Sequence, residues 1–219
     1  MLTRREANAG LVSAAVLAAA APTLAAAQQP ETIALPAPRK DGGKPLMQAL
    51  ALRRSTRDYA DRALPREVLS DLLWAANGVN RPSGDRTAPY WRHIMVIDIY
   101  AAMADGLWFY HPVRHALVKR LDADIRAKTG DQPFVRFAPL NLVYVAHGER
   151  MPRITPDAKL LYASADASFI GQNVYLYCAS EGLACVFRGS LDAKVLGEAM
   201  KLGYGQFVTF AQSVGYPKT

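Results

Sequence analysis

Three guanidinium groups and two hydroxyls fall within five residues at Arg53-Arg54-Ser55-Thr56-Arg57. Such a run has the chemistry to hold an anion, because arginine forks match phosphate oxygens two bonds at a time and hydroxyls add short hydrogen bonds. A solvated basic helix end has the same composition, so the run by itself leaves both readings open. A second feature spans Glu181-Gly182-Leu183-Ala184-Cys185-Val186-Phe187-Arg188-Gly189-Ser190-Leu191-Asp192. There a strand pattern runs into a glycine turn and then a short helix, and such a turn bares backbone N–H groups toward a ligand. An ordinary strand-to-helix connection has the same pattern.

Other chemistries lack their residues. The sequence has no Gly-x-Gly-x-x-Gly after a strand, no phosphate-loop lysine motif and no Gly-x-Ser-x-Gly elbow. His93, His111, His115 and His147 are not spaced with Cys or carboxylates as metal ligands are, so no metal is expected. Cys178 and Cys185, seven apart, read as buried free thiols, with a disulfide in an exported chain as the alternative. The chain has 219 residues, 51% hydrophobic, with 26 Lys+Arg against 19 Asp+Glu and a net charge of +7. That excludes wholesale disorder and a disulfide-framework miniprotein. The positive charge outside residues 53–57 is scattered and balanced by acids, so nucleic acid is not an expected partner.

The elements that would position these features can be read from periodicity. Pro45 to Leu52 gives a short helix that delivers the basic run. Leu64-Pro65 opens a second helix with Val68, Leu69, Leu72, Leu73 and Ala76 on one face, ending at Asn77-Gly78. Arg81 to Arg86 is a loop. His93 to Ile99 reads as a strand, and Asp105-Gly106 turns into another at Leu107 to Tyr110. Pro112 to Lys128, with Val113, Leu117, Leu121 and Ile125, reads as an amphipathic helix. Leu140 to Ala146 is a near-continuous apolar strand buried on both faces. Pro156 to Glu181 is a long helix closed by Gly182, followed by strand Leu183 to Phe187, short helix Asp192 to Lys201 and strand Gln206 to Val214. Helices and strands mix without strict alternation. That predicts an α+β fold with a largely antiparallel sheet, in one domain over residues 46–219.

The N-terminus has the three-part layout of a secretory signal. Arg4-Arg5 precedes an Ala-rich apolar run, and Ala25-Ala26-Ala27 supplies a small-residue cut site. Thr3-Arg4-Arg5 partly matches a twin-arginine signal. Residues 1–27 are therefore expected to direct the chain to the periplasm or outside the cell, with 28–45 as an extended or disordered leader.

In this order, the motifs resemble the flavin mononucleotide (FMN)-dependent nitroreductase superfamily. Arg53-Arg54-Ser55-Thr56-Arg57 resembles its opening motif. Leu72-Leu73-Trp74-Ala75-Ala76-Asn77-Gly78-Val79, followed by Arg86-Thr87-Ala88-Pro89, is similar to the branch of peptide-azoline dehydrogenases. Asp166, Gly171-Gln172-Asn173 and Leu176 resemble its central helix. Glu181-Gly182-Leu183 and Phe187-Arg188-Gly189 resemble its flavin-facing segment, and Val214-Gly215-Tyr216-Pro217-Lys218 its closing strand. The resemblance implies a central antiparallel sheet flanked by helices, in an intertwined homodimer with FMN at the subunit interface. It implies an oxidoreductase acting on a small aromatic, nitro, quinone or heterocyclic substrate, or a degenerate member that binds flavin without turnover.

Carried over residue by residue, the resemblance puts Arg53 and Arg57 on the FMN phosphate, with Arg54 and Ser55 lining the same end and Lys218 adding a cation. It puts the backbone N–H groups of Arg188 and Gly189 at the flavin ring, and Thr87, Ala88 and Pro89 in the loop beside it. No catalytic side chain is assigned, since the flavin carries the chemistry and the protein positions it. Ala163, Ala165, Ala167 and Gly171 would let backbones approach closely at a dimer face or within one core. The loop after Ala88-Pro89 is shorter than the family pattern. An exported enzyme meets little NAD(P)H, so its electron donor would be a quinone, a membrane partner or the substrate itself.

Overall fold

The computed structural model describes residues 29–218, so the expected signal at 1–27 lies outside the described residues. Seven strands form one antiparallel sheet in the order β1-β4-β3-β2-β5-β7-β6. They are β1 (Thr32–Ala34), β2 (Ile97–Met103), β3 (Gly106–His111), β4 (Ala116–Leu121), β5 (Leu140–His147), β6 (Ala184–Arg188) and β7 (Gln206–Gly215). The helices are α1 (Leu46–Leu52), α2 (Arg66–Asn77), α3 (Pro156–Glu181) and α4 (Ala193–Ala199). The expected α+β class with a mostly antiparallel sheet flanked by helices is the one observed.

Strand alternation builds three layers. On β5, Leu142, Tyr144 and Ala146 face a core shared with Leu72 and Leu73 of α2 and with Ala167, Ile170 and Val174 of α3. Val143 and Val145 face the other side, against Leu196, Met200 and Val208. Both faces are covered, so β5 reads as an unbroken apolar run although its neighbours are antiparallel. Helix α3 starts where the sequence says it should. Thr155 Oγ1 accepts the Ala158 N–H at 3.3 Å, Pro156 occupies the first turn, and Gly182 closes the helix at φ +73°.

Three segments differ from expectation. Residues 112–128 are not a helix: a turn at Pro112–His115 leads into β4, and only Arg126–Lys128 coil as a 3₁₀ turn. The four-residue spacing of Val113, Leu117, Leu121 and Ile125 imitates a helix face. Ala116, Leu117 and Val118 are nevertheless all buried, because β4 sits inside the sheet with both faces covered. Strand β2 begins at Ile97 rather than His93, because Trp91–His93 form a 3₁₀ turn with left-handed backbone. Part of the segment expected as a leader is ordered. Thr32–Ala34 pair with Ala116–Val118 as the edge strand, and the following residues strap across α2 and α3 through Arg39, which pairs with Asp71 and Glu181.

One polar knot ties β2 to β5. Asp98 accepts from His147 Nε2 at 2.7 Å and from Arg150 Nη1 at 3.1 Å. Burial pushes the Asp98 carboxyl up, but the His147 and Arg150 contacts outweigh it and hold the group below its ordinary value. A depressed folded value means that the knot stabilises at neutral pH and is lost as pH falls through that value. Asp98→Asn is therefore expected to cost about 1–2 kcal/mol at pH 7. Melting curves of both proteins should converge as the pH is lowered through the depressed value of the Asp98 carboxyl.

Candidate functional site

The basic run leaves α1 and crosses the open edge of β6. Its Thr56 N–H donates to Cys185 O at 2.9 Å. Two residues further along that edge, the Phe187 N–H donates to the Tyr175 hydroxyl at 2.8 Å, and the same hydroxyl lies 2.7 Å from Ser55 Oγ. The Arg53 guanidinium stacks 5.2 Å from the Tyr175 ring centre. Tyr175 is thus the hub that joins the basic run to the strand, and the sequence reading missed it. Its signal was spacing: Gly171, Tyr175 and Cys178 recur at i, i+4 and i+7 on α3, the face turned to β6. The two stretches singled out in the sequence, remote along the chain, meet in one groove.

The C-terminal segment closes the other flank. The Ala60 N–H donates to Tyr216 O at 2.9 Å and the Lys218 N–H to Asp58 O at 3.3 Å. Residues 53–59 therefore run between two depressions. Arg53, Arg54, Thr56 and Tyr175 line one of about 350 Å³. Arg57, Arg136 and Lys218 line the other, of about 460 Å³, with Tyr59 and Phe134. Arg57 and Lys218 are together, but on the far side of the run from Arg53 and Arg54. Arg126 also borders the second depression. Its charge is committed to Asp124, at 2.8 Å from Nη2, and Nη1 donates to Ala138 O.

The Arg188 side chain turns into the protein. Nη1 donates to Thr129 O at 2.8 Å and Nη2 to Asn141 Oδ1 at 3.2 Å. Burial lowers its pKa to about 10, so it stays a cation at neutral pH without facing the groove. Cys185 and Phe187 direct their polar backbone groups to the open edge. Alternation therefore turns the Arg188 backbone toward Ala211 of β7 and brings the Gly189 N–H next on the open edge. Gly189 is exposed. Of the two backbone donors expected at the ring, this geometry favours Gly189.

Thr87, Ala88 and Pro89 are not in this groove. Thr87 Oγ1 donates to Trp74 O of α2 at 3.2 Å, Ala88 is buried in the core and Pro89 is exposed. They lie on the α2 flank of α3, where Asn173 and Tyr177 of α3 bond to Ala76 and Val68. Tyr175 and Cys178 face the opposite flank. The short loop that follows is pinned by Asp166, whose two oxygens accept the Trp91 N–H at 3.1 and 2.9 Å. Cys178 and Cys185 are both free and buried, and burial pushes the Cys178 thiol up. Of the small residues on α3, Ala163, Ala167 and Gly171 pack within this chain's own core and Ala165 is exposed.

The donor set fits a nucleotide-like ligand with an anionic tail: guanidinium groups and hydroxyls at one end, and an open strand edge with an unhindered glycine at the other. Comparison with known proteins identifies the family. Residues 50–216 match the model of the nitroreductase family. A protein of Methanocaldococcus jannaschii, named as a candidate nitroreductase, is 31% identical over 167 residues, covering 72% of this chain and 84% of that one. The crystal structure of a candidate nitroreductase from Ralstonia eutropha JMP134 superposes with a TM-score of 0.82 at 44% identity, over 86% of this chain and 90% of that one. An NADPH:FMN oxidoreductase from Vibrio harveyi, solved with NAD+, shares the fold. Its TM-score is 0.59 at 20% identity, over 80% of this chain and 69% of that one.

Proposed function

The chain belongs to the nitroreductase family, an oxidoreductase family, and from that premise we propose that it is an FMN-dependent homodimeric enzyme passing electrons between a donor and a small aromatic, nitro, quinone or heterocyclic substrate. The observation that carries this reading is the meeting of Arg53–Thr56 with the open edge of β6 around Tyr175. Bound there, FMN would supply two-electron transfer. The chain's part is to bind and orient it. Arg53, with Arg54 and Ser55, would hold the phosphate end, and Arg57 and Lys218 would add positive charge from the neighbouring depression. The Gly189 N–H would steady the ring edge. Tyr175 keeps both halves in register, because its hydroxyl serves Ser55 and Phe187 at once.

A second copy would complete the site. Leu161, Ala165, Ser168, Phe169 and Gln172 form an exposed stripe along α3, with Phe169 48% and Leu161 64% accessible. Leu46, Met47 and Leu50 of α1 are exposed as well. Paired across a two-fold axis, this stripe would carry the Thr87–Pro89 loop of one copy toward the groove of the other. Phe169→Arg is expected to raise the dimer dissociation constant about 30-fold or more, read by sedimentation across a concentration series.

The export signal read at residues 1–27 makes a periplasmic or secreted location, with a quinone or membrane donor, part of the proposal. The mass of the mature N-terminus tests it. The test of the function is the visible spectrum of the purified chain after incubation with FMN. A bound flavin spectrum that bleaches with a two-electron reductant and returns with nitro or quinone acceptors supports the reading. A colourless protein that takes up no FMN overturns it. A yellow protein that no organic acceptor reoxidises leaves only a flavin binder.

A further inference from the structure

Arg86 is a buried cation with too few partners. It is 8% exposed, and burial lowers its pKa from the ordinary guanidinium value. Its Nε donates to Met95 Sδ at 3.0 Å, and its Nη1 has no hydrogen-bond partner among the described residues. A guanidinium brings five N–H donors, whereas a thioether is a weak acceptor. A buried donor left without an acceptor costs stability, so a native fold that keeps one calls for an explanation. The two carboxylates whose fields reach Arg86 are already taken. Asp85 accepts from the Ser83 and Tyr90 hydroxyls, and Asp98 from His147 and Arg150.

Both residues sit where a loop is closed. Val79 and Arg86 form a β-bridge, Arg86 O accepts from Arg81 Nη2 at 3.3 Å, and the Thr87 N–H donates to Gly78 O at 3.0 Å. Met95 stands two residues before β2, with its carbonyl held by Arg150 Nη1 at 2.8 Å. The contact between Nε and Sδ therefore ties the 79–86 loop to the foot of the sheet. Met95 is half-buried, so a small oxidant need not unfold the chain to reach it.

Oxidation changes the acceptor. The Met95 sulfur gives a lone pair to one oxygen of a peroxide. An S–O bond forms and the O–O bond breaks. The proton on the transferred oxygen goes to the departing hydroxide, leaving a sulfoxide and water. Sulfur loses two electrons and the peroxide gains them. In an apolar core the polar sulfoxide is a lesion. Beside Arg86 its oxygen is a strong acceptor facing a guanidinium that lacks one. A weak N–H···S contact is exchanged for a charge-assisted N–H···O bond.

We infer that Met95 is an oxidation site, at which a peroxide converts the thioether to the sulfoxide and the Arg86 guanidinium captures the new oxygen through Nη1, tightening the 79–86 loop onto the foot of β2. A reduced flavin that passes its electron pair to dioxygen makes hydrogen peroxide, so the function proposed above would supply the oxidant. The site itself needs no flavin and stands or falls apart from that reading.

The test treats the full chain with graded hydrogen peroxide, locates sulfoxides by peptide mass spectrometry and follows the thermal midpoint. Met95→Leu, treated alongside, reports every other methionine. When Met95 is converted, the wild type is expected to gain about 2–5 °C relative to treated Met95→Leu, measured as the difference between their changes on treatment. Hydrogen exchange over residues 79–86 should slow at least about threefold. Met95→Gln carries an amide oxygen at about the reach of the sulfoxide oxygen, and should melt about 3–8 °C above Met95→Leu with no oxidant present. The inference falls if the oxidised wild type loses stability relative to treated Met95→Leu. It also falls if Met95 stays reduced at a dose that oxidises Met103, which is half-buried too. A Met95→Gln protein that melts at or below Met95→Leu would show that Nη1 is served by something else, such as a buried water.

Discussion

Arg53→Ala is expected to weaken FMN binding roughly 30- to 150-fold, the equivalent of about 2–3 kcal/mol for a charge-assisted contact to a phosphate. The fold should survive. Arg53 is half-buried, and its recorded contact is the stacking over Tyr175, which is worth about 1 kcal/mol at such a site. The loss should appear in an equilibrium titration of apoprotein with FMN, while the thermal midpoint without flavin moves by only a few degrees. Arg188→Ala is the informative contrast. Its guanidinium is spent on Thr129 and Asn141, so the substitution should alter stability and leave the phosphate end untouched. An Arg53→Ala protein that binds FMN like the wild type would remove the phosphate role.

The second large effect is structural. Gly171 lets α3 lie against β6: a Cβ there would stand 2.5 Å from Cδ2 and Cε2 of Phe187 and 3.3 Å from Gln212 Oε1. Neither neighbour can retreat. Phe187 is packed between Phe210 and Tyr144, at 4.7 and 5.7 Å between ring centres. Gln212 is fixed by the Tyr144 hydroxyl and by its own bond to Gly171 O. Gly171→Val should cost about 3 kcal/mol by overpacking, or a fall of roughly 6–12 °C in Tm. Gly171→Ala should lose less, because alanine regains about 1 kcal/mol of helix propensity. FMN affinity should drop as well, since a displaced Phe187 pulls its N–H away from Tyr175 and loosens Ser55. A valine variant that melts with the wild type would show that the helix can slide.

Much of the fold was legible because its signals are local. Pro156, Thr155 and Gly182 mark both ends of α3, and Asn77-Gly78 marks the end of α2. A near-continuous apolar run marks β5. The error at 112–128 came from the same source, since four-residue apolar spacing cannot distinguish a helix face from a strand covered on both sides. The strap around Arg39 was illegible for a different reason: prolines and glycines forbid long regular structure but say nothing about long-range partners such as Asp71, Glu181 and His115.

The candidate site divides in the same way. Residue types and their order along the chain determined which groups can hold an anion, that Gly189 follows a buried strand, and which family the chain resembles. Tertiary structure alone decided that Arg53 and Phe187 meet through the Tyr175 hydroxyl and that the Arg188 side chain is a buried brace. It also decided that Thr87–Pro89 stand on the opposite flank of α3. A sequence fixes the chemistry each residue carries and the repeat of its own element. Whether two elements meet, and with which face, depends on the packing of all the others, and no short stretch of sequence contains that sum.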